Sequence, residues 1–201
     1  MMRFVSIALL SSLVAAKTLL GRQDIGVTIV SATADGPGCP ADSVTFAFSL
    51  DRQAVDVIFS RYLVATGPDA PDSERETFCD ISLAVAFPLG CTSVVFDTIY
   101  RGLSTISEMG VSGHLTSSST LSPGQLIGGN PPETMFTSTS EENFVVEQKP
   151  SGTERISNAN EQIVSFVSRS RLNLISTGPS LAGVIFVDSV GFDLGNQTRC
   201  T

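Results

Sequence analysis

Apolar and polar residues alternate with a period of two along much of the chain, and this alternation constrains the fold most. Val44, Phe46 and Phe48 keep the period, and residues 55–59 and 81–87 repeat it. Successive side chains of a strand point to opposite faces, so the pattern predicts strands with one buried face. Frequent Gly/Pro turns and the lack of strand–helix alternation predict an all-β, single-domain sandwich of about 8–10 mostly antiparallel strands, with a closed β-barrel as the alternative.

Turn residues between the alternating segments predict which strands form hairpins. The predicted hairpins are 44–50 with 55–59, 81–87 with 92–100 and 161–175 with 181–194. Further strands are predicted at 25–33, 111–120, 134–139 and 144–148. Residues 163–167 also fit a helical stripe, which leaves a helix as the alternative there.

The first residues are typical of a secretory signal. Arg3 precedes an apolar run over residues 4–14, and Val14-Ala15-Ala16 is a small-residue cleavage pattern. The run is too short to span a bilayer, which takes about twenty residues. We therefore expect a signal peptide at 1–16, a flexible N-terminal segment at 17–24, one β domain at 25–201, and a secreted, extracellular protein.

The charge balance excludes two classes of partner. Twelve Lys and Arg residues stand against twenty Asp and Glu residues, a formal net charge of −8, and the only lysines are Lys17 and Lys149. A nucleic-acid binder needs a clustered basic surface, and an anionic membrane attracts basic segments. We expect neither nucleic acid nor a membrane as a partner.

Cysteine usage agrees with export. Four cysteines without a Cys-x-x-Cys spacing predict two disulfides rather than a metal site, and three pairings remain open. Asn196 begins the sequon Asn196-Gln197-Thr198, so the protein is predicted to be a glycoprotein.

Five short strings in a fixed order resemble a known family. They are Gly38-Cys39-Pro40, Gly67-Pro68 before an acidic loop, Arg75 shortly before Cys79, Tyr100-Arg101-Gly102, and Asp188-Ser189. Together they resemble the secreted, mostly fungal domain of unknown function 4360 (DUF4360), from about residue 25 to residue 200. The resemblance implies a Cys39–Cys79 disulfide, which leaves Cys91 with Cys200. That second bridge requires the terminal strand to lie beside the 92–100 strand, because bridged Cα atoms approach within about 7 Å.

His114 is the only histidine, so every imidazole-based site depends on it. Ser112 is near, but Gly110-Val111-Ser112-Gly113 lacks the Gly-x-Ser-x-Gly spacing of a nucleophile elbow. Only Asp97 or Glu108 suggest themselves as the acid that would orient the imidazole. We interpret His114 as a strand or surface histidine.

Three aspartates lie within or beside alternating strands, where a carboxylate pair could serve glycoside hydrolysis. Asp56 and Asp97 are predicted to point outward. Asp188 shares the phase of Val184 and is predicted to point inward, where a buried carboxylate would need a partner such as Arg101. Tyr100, Arg101 and Asp188 are therefore candidate structural or binding residues.

The loop 69–76 gathers four carboxylates, Asp69, Asp72, Glu74 and Glu76. Oxygen ligands on a flexible loop suit Ca²⁺, although no EF-hand spacing is present, and a solvated loop is the alternative. We expect no cofactor and no other metal site.

The sequence names no ligand. The chain lacks tryptophan and has only Tyr62 and Tyr100 as tyrosines, so the aromatic platforms of many sugar-binding sandwiches are scarce. We interpret it as a secreted, non-catalytic binding or structural domain associated with glycans or a cell wall. The alternatives are a secreted hydrolase with a carboxylate site and a secreted effector or toxin.

Overall fold

The computed structural model describes residues 26–88, 91–94, 96–107, 109–121, 125–127, 133–137, 139, 141–148, 154–155, 162–194 and 199–200. Fifteen strands occupy most of them, with short 3-10 turns at Ala41–Ser43 and Asp72–Glu74. The strands are β1 (Thr28–Asp35), β2 (Val44–Phe48), β3 (Ala54–Phe59), β4 (Leu63–Thr66), β5 (Glu76–Phe87), β6 (Cys91–Val94), β7 (Phe96–Ile106), β8 (Val111–Leu121), β9 (Gln125–Ile127), β10 (Glu133–Phe136), β11 (Glu141–Gln148), β12 (Glu154–Arg155), β13 (Gln162–Ser176), β14 (Gly183–Leu194) and β15 (Arg199–Cys200).

Twelve of these strands form two six-stranded antiparallel sheets. The first sheet has the order β1-β5-β13-β8-β10, with β9 beside β8, and the second has the order β11-β7-β14-β3-β2, with β4 beside β14. A third, small sheet has the order β12-β6-β15. The two large sheets pack together without closing, which confirms the predicted sandwich and not the barrel alternative.

Alternation along the strands builds the core between the two sheets. In β5 every second residue from Thr77 to Phe87 is buried, and β7 is buried in the same way from Phe96 to Ile106. Stacked sheets bury the inner side chains of both layers and leave the alternate ones to the outer faces. The inner positions therefore hold the core, and the two outer faces are left for function.

The hairpin formed by β2 and β3 is confirmed, with Phe46 opposite Val57. The predicted hairpin of 81–87 with 92–100 is wrong, because β5 lies in the first sheet, β6 in the third and β7 in the second. The predicted pairing of 161–175 with 181–194 is wrong in the same way, since β13 and β14 belong to different sheets. Period-two alternation shows which face of a strand is buried, and it does not show which strand lies beside it.

Two further expectations differ from the structure. The helix alternative at 163–167 is wrong, because these residues lie within the fifteen-residue strand β13. The described residues also hold more strands than predicted: β4, β9, β12 and β15 were not predicted, and the predicted strand 92–100 is divided into β6 and β7. The extra strands span only two to four residues each. Such strands are too short to show a full period of alternation.

The Cys39–Cys79 disulfide ties the segment before β2 to the middle of β5, with its Cα atoms 5.5 Å apart. The residue before Cys39 is Gly38, and a larger residue would clash there, because a Cβ would come within 2.5 Å of the Tyr62 ring. The Tyr62 hydroxyl hydrogen-bonds the Ser170 hydroxyl at 2.8 Å. Gly38, Cys39 and Cys79 thus close one buried corner around Tyr62.

The backbone condition for the second bridge is met. Strand β15 pairs with β6, and Cys200 lies opposite Cys91 in that pairing. The pairing of the two sulfurs stays a prediction. The predicted signal peptide, the segment 17–24 and the sequon at Asn196 lie outside the described residues. Within the described ranges no helix is long and apolar enough to cross a membrane.

Candidate binding face of the second sheet

The outer face of the second sheet presents three rows of side chains that run across its strands. We call the set the second-sheet face. Strand pairing aligns the rows from β4 or β3 across β14 and β7 to β11. The rows are Leu63–Phe186–Leu103–Asn143, Ile58–Ser189–Arg101–Val145, and Asp56–Gly191–Ile99–Glu147.

This face exposes several apolar side chains. Val145 is 64% exposed, Ile58 46% and Leu63 39%. Phe186 lies half-buried on the central strand β14 between Leu63 and Leu103. Single exposed apolar residues are common, but a contiguous group of them marks a binding surface.

A charged pair joins the second and third rows, over a glycine. Arg101 Nη1 is 3.9 Å from Asp56 Oδ1, and both side chains are about half-exposed. A Cβ on Gly191 would come within 2.8 Å of Asp56 Oδ1 and 3.5 Å of Arg101 Nη1. Gly191 therefore gives the carboxylate and the guanidinium room to approach each other across β14.

A β-bulge in β14 places Asp188 next to this pair. The register of β14 against β7 shifts between Val187 and Ser189, and Ser189 lies opposite Arg101. The Ser189 hydroxyl donates to Asp188 Oδ1 at 2.8 Å. Bulges bend a strand and re-aim its side chains, and they are common beside functional sites.

The predicted Arg101–Asp188 pair is wrong, because the carboxylate within 4 Å of Arg101 is that of Asp56. Asp188 is exposed rather than inward-facing. Val184 also faces outward, so the phase assigned to this strand was inverted. Asp56 and Asp97 do lie on the outer positions of their strands, as predicted.

The three residues of the motif Tyr100-Arg101-Gly102 occupy different environments. Tyr100 is fully buried, a position that suits the structural rather than the binding role among the two predicted for it. Arg101 points out onto the second-sheet face. Gly102 points inward, where a Cβ would come within 2.6 Å of the Phe144 ring and still closer to the backbone oxygen of Phe186.

Beneath the face, Tyr100 reaches into a group of polar side chains between the sheets. Burial raises the pKa of the Tyr100 hydroxyl, and the nearby hydroxyls of Ser168, Ser117 and Ser170 oppose that rise. Ser117 in turn donates a hydrogen bond to the Gln148 side-chain oxygen. These buried groups fix β7 and β11 of the second sheet against β8 and β13 of the first.

The outer face of the first sheet has a different character, because its charges are paired with one another. Arg169 donates from Nε to Asp80 Oδ1 at 2.7 Å, and this contact raises the pKa of the Arg169 guanidinium. On the next row Arg171 Nη1 lies 3.1 Å from Glu76 Oε1. We call this outer surface of β5, β13, β8 and β10 the first-sheet face.

The predicted calcium loop is not assembled around a common centre in the described contacts. Asp72 pairs with Arg75 at 3.0 Å, and Glu76 pairs with Arg171. No group of three or more His, Cys, Asp or Glu side chains in the described ranges could hold a metal ion. Calcium binding stays a prediction that these contacts do not support.

Sequence reasoning missed three residues of these faces. Phe186 lies in the part of β14 for which the predicted phase was inverted. Gly191 and Glu133 are not part of any predicted site. The alternation of Ile185 and Val187 as the inner positions was the available signal for β14. No sequence signal paired β10 with β8, which is what brings Glu133 to His114.

A family model described as a domain of unknown function (DUF4360) matches residues 26–199. The chain belongs to this family. Two of the strings that carried the resemblance, Tyr100-Arg101-Gly102 and Asp188-Ser189, meet across β7 and β14 of this DUF4360 domain.

A curated relative is an uncharacterized secreted protein of the fungus Arthroderma benhamiae. It is 37% identical over 87 residues, which cover 43% of the DUF4360 chain and 35% of the relative. The match therefore spans about a third of the relative's length.

Solved structures similar to the DUF4360 domain include two carbohydrate-binding modules. TmCBM61, determined with beta-1,4-galactotriose, is 14% identical at a TM-score of 0.31, with 83% of this chain and 90% of that chain covered. TmCBM27, described for specific mannan recognition, is 12% identical at a TM-score of 0.34, with 85% and 89% covered. Neither likeness identifies a ligand of this chain.

Proposed function

We propose that this chain is a secreted glycan-binding domain that holds a neutral polysaccharide on the second-sheet face. The observation that carries the proposal is the Asp56–Arg101 pair over Gly191, set beside rows of exposed apolar side chains. Small-molecule sites combine an apolar lining with a few convergent polar groups. The second-sheet face has this composition.

A sugar ring suits this face in two ways. Its C–H surfaces pack against apolar or aromatic side chains, which Phe186 and its neighbours Leu63 and Leu103 supply. Its hydroxyls can accept from the Arg101 guanidinium and donate to the Asp56 carboxylate. The rows lie about 7 Å apart along each strand, so an extended chain can contact more than one of them.

Charge favours a neutral ligand. Arg101 is the one basic residue among the described strand positions of this face, whereas Asp56, Asp97, Asp193 and Glu147 all point to it. The whole chain carries a formal net charge of −8. Uronic or sulfated polymers would be repelled, because like charges on a surface oppose association.

Secretion supports the same function. The N-terminal sequence predicts a signal peptide, and the fungal relative is described as a secreted protein. Polysaccharides of a cell wall lie outside the cell, where an exported domain would meet them.

The test measures retention of the purified chain on immobilised neutral polysaccharides. The wild-type protein is expected to be retained, and Arg101→Ala and Phe186→Ala are expected to lose affinity about tenfold, roughly one lost charged hydrogen bond or one apolar contact. Arg169→Ala is the matched control, because it removes an arginine from the first-sheet face. Equal losses for Arg101→Ala and Arg169→Ala would reject the site, and no retention on any neutral polysaccharide would reject the function.

A carboxylate hydrolase is a second candidate on the same face. Asp97 and Asp193 lie directly opposite each other on β7 and β14, which places their Cβ atoms about 5 Å apart. Retaining glycosidases hold two carboxyl groups about 5 Å apart. Release of reducing sugar that is lost in Asp97→Asn would favour this candidate, and binding without release would dismiss it.

A further inference from the structure

We infer that Ser112, His114 and Glu133 form an acyl-transfer site on the first-sheet face, separate from the proposed glycan site. Ser112 Oγ lies 3.4 Å from His114 Nε2, and His114 Nδ1 lies 2.6 Å from Glu133 Oε1. The serine and the carboxylate therefore contact opposite nitrogens of one imidazole. This is the arrangement in which an acid orients a histidine toward a nucleophilic hydroxyl.

Two paired strands build the site. Ser112 and His114 are two residues apart on β8, so both side chains point to the outer face. Strand β10 pairs with β8 so that Met135 lies opposite His114 and Glu133 lies opposite Thr116. Glu133 is thus the diagonal neighbour of His114 across the pair, within reach of a long side chain.

The contacts determine what each group can do. The ionised Glu133 carboxylate can only accept, so in the neutral imidazole the proton lies on Nδ1 and the lone pair on Nε2. That lone pair faces the Ser112 hydroxyl and can take its proton. The His114 side chain is 17% exposed and that of Glu133 53%, so the imidazole is held while the site stays open to solvent.

Asn173 is a candidate for an oxyanion donor. It lies opposite His114 in β13 and on the same outer face. Its amide group can donate to the oxygen that becomes negative as an ester is attacked, the task that asparagine performs in some hydrolases. The open, shallow surface favours small acyl esters as the substrate class.

The reaction balances without a cofactor. Ser112 Oγ attacks the ester carbonyl carbon while its proton passes to His114 Nε2. The C–O bond to the alcohol breaks, and the leaving oxygen takes that proton. Water then attacks the acyl-serine, passes a proton through His114 to Ser112 Oγ, and releases the carboxylic acid. Glu133 acts as a positioning residue throughout, because it touches only the imidazole.

The experiment uses the full chain with p-nitrophenyl acetate and with a fluorophosphonate probe located by mass spectrometry. We expect turnover, and a covalent label on Ser112 that is absent in Ser112→Ala. His114→Asn should lower turnover and the labelling rate about 100-fold, the contribution of a general base. Ser118→Ala is the matched control, because Ser118 lies on the same strand and face opposite Arg169.

Variants at Glu133 distinguish a catalytic triad from a structural contact. Glu133→Gln keeps the shape of the side chain but can present its NH2 to Nδ1, which favours the wrong tautomer. Turnover should then fall without a change in the thermal midpoint, and Glu133→Asp should restore part of it. Failure to label Ser112, or unchanged labelling in His114→Asn, overturns the proposal. If His114→Asn does not fold, Ser112→Ala and Glu133→Gln decide alone, and glycan binding is unaffected in either outcome.

Discussion

The two outer faces of this sandwich arise from the same alternation and differ in how they hold their charges. On the first-sheet face, Arg169 and Arg171 are each paired with a carboxylate on β5 within about the length of a hydrogen bond. On the second-sheet face, Arg101 and Asp56 stay 3.9 Å apart among exposed apolar side chains. The first-sheet face holds its arginines in close pairs, whereas the second-sheet face holds a looser pair beside apolar side chains, a combination that suits a ligand.

The largest expected effect concerns the predicted Cys91–Cys200 disulfide beside the second sheet. Strand β6 precedes β7 in the sequence, and β15 follows β14. The two short strands pair in the third sheet, where Cys91 and Cys200 lie opposite each other. If they are bridged, Cys200→Ser should lower the free energy of unfolding by roughly 4 kcal/mol, because the bridge closes a loop of about a hundred residues. Urea unfolding measures this loss.

Peptide mapping without reductant supplies the control for that bridge. Wild-type protein should yield a Cys91–Cys200 linked peptide and a Cys39–Cys79 linked peptide. The Cys200→Ser variant should yield only the Cys39–Cys79 linked peptide. A free thiol at Cys91 in the oxidised wild-type protein would contradict the second bridge.

The next effect concerns the packing under Arg101. Gly102→Ala should destabilise the fold by about 3 kcal/mol, since the added methyl overpacks the site against Phe144 and the backbone of β14. Gly178→Ala is the matched control, because a Cβ there meets only Leu181 at 3.6 Å. Equal unfolding midpoints for the two variants would show that the close approach of β7 and β14 is not needed.

A smaller effect concerns the interior that both faces share. Tyr62→Phe removes the hydrogen bond to Ser170 and should cost about 1 kcal/mol near neutral pH. Burial raises the pKa of the Tyr62 hydroxyl in the folded chain, whereas the unfolded chain ionises at about pH 10. Ionisation therefore favours the unfolded state above about pH 10, and stability falls as the pH rises further.

Tyr62→Phe lacks one of these buried phenols, so its stability should fall less steeply above that pH, while Tyr100 still contributes. Thermal unfolding between neutral and strongly alkaline pH measures both slopes. Parallel slopes for wild type and variant would contradict a buried, un-ionised Tyr62.

Sequence reasoning predicted the fold class because alternation is local and depends on burial of one face. It placed β2, β3, β8 and β13 within about two residues of their observed bounds. It failed on partners, because the turns after Phe87 and around Gly178 lead from one sheet to another rather than back along the same one. A turn signature in a sandwich is compatible with both connections.

The candidate sites depend on which strands lie beside one another. Arg101 was singled out, but its partner Asp56 lies two strands away across β14. The sequence suggests Asp97 or Glu108 as the acid for His114, whereas the β8–β10 register places Glu133 beside it. The predicted phase of β14 was inverted from Val184 to Asp188, and the bulge between Val187 and Ser189 is where the phase changes. Long-range pairing decided each of these contacts.

Backbone NMR during titration with an oligosaccharide of the retained neutral polymer tests the central claim most directly. The account predicts that amide shifts change along β7 and β14, with Arg101, Ser189 and Gly191 among the largest changes. Amides of the first-sheet face, such as those of Thr116 and Arg171, should stay in place. Shift changes confined to the first-sheet face would contradict the assignment of the binding site to the second sheet.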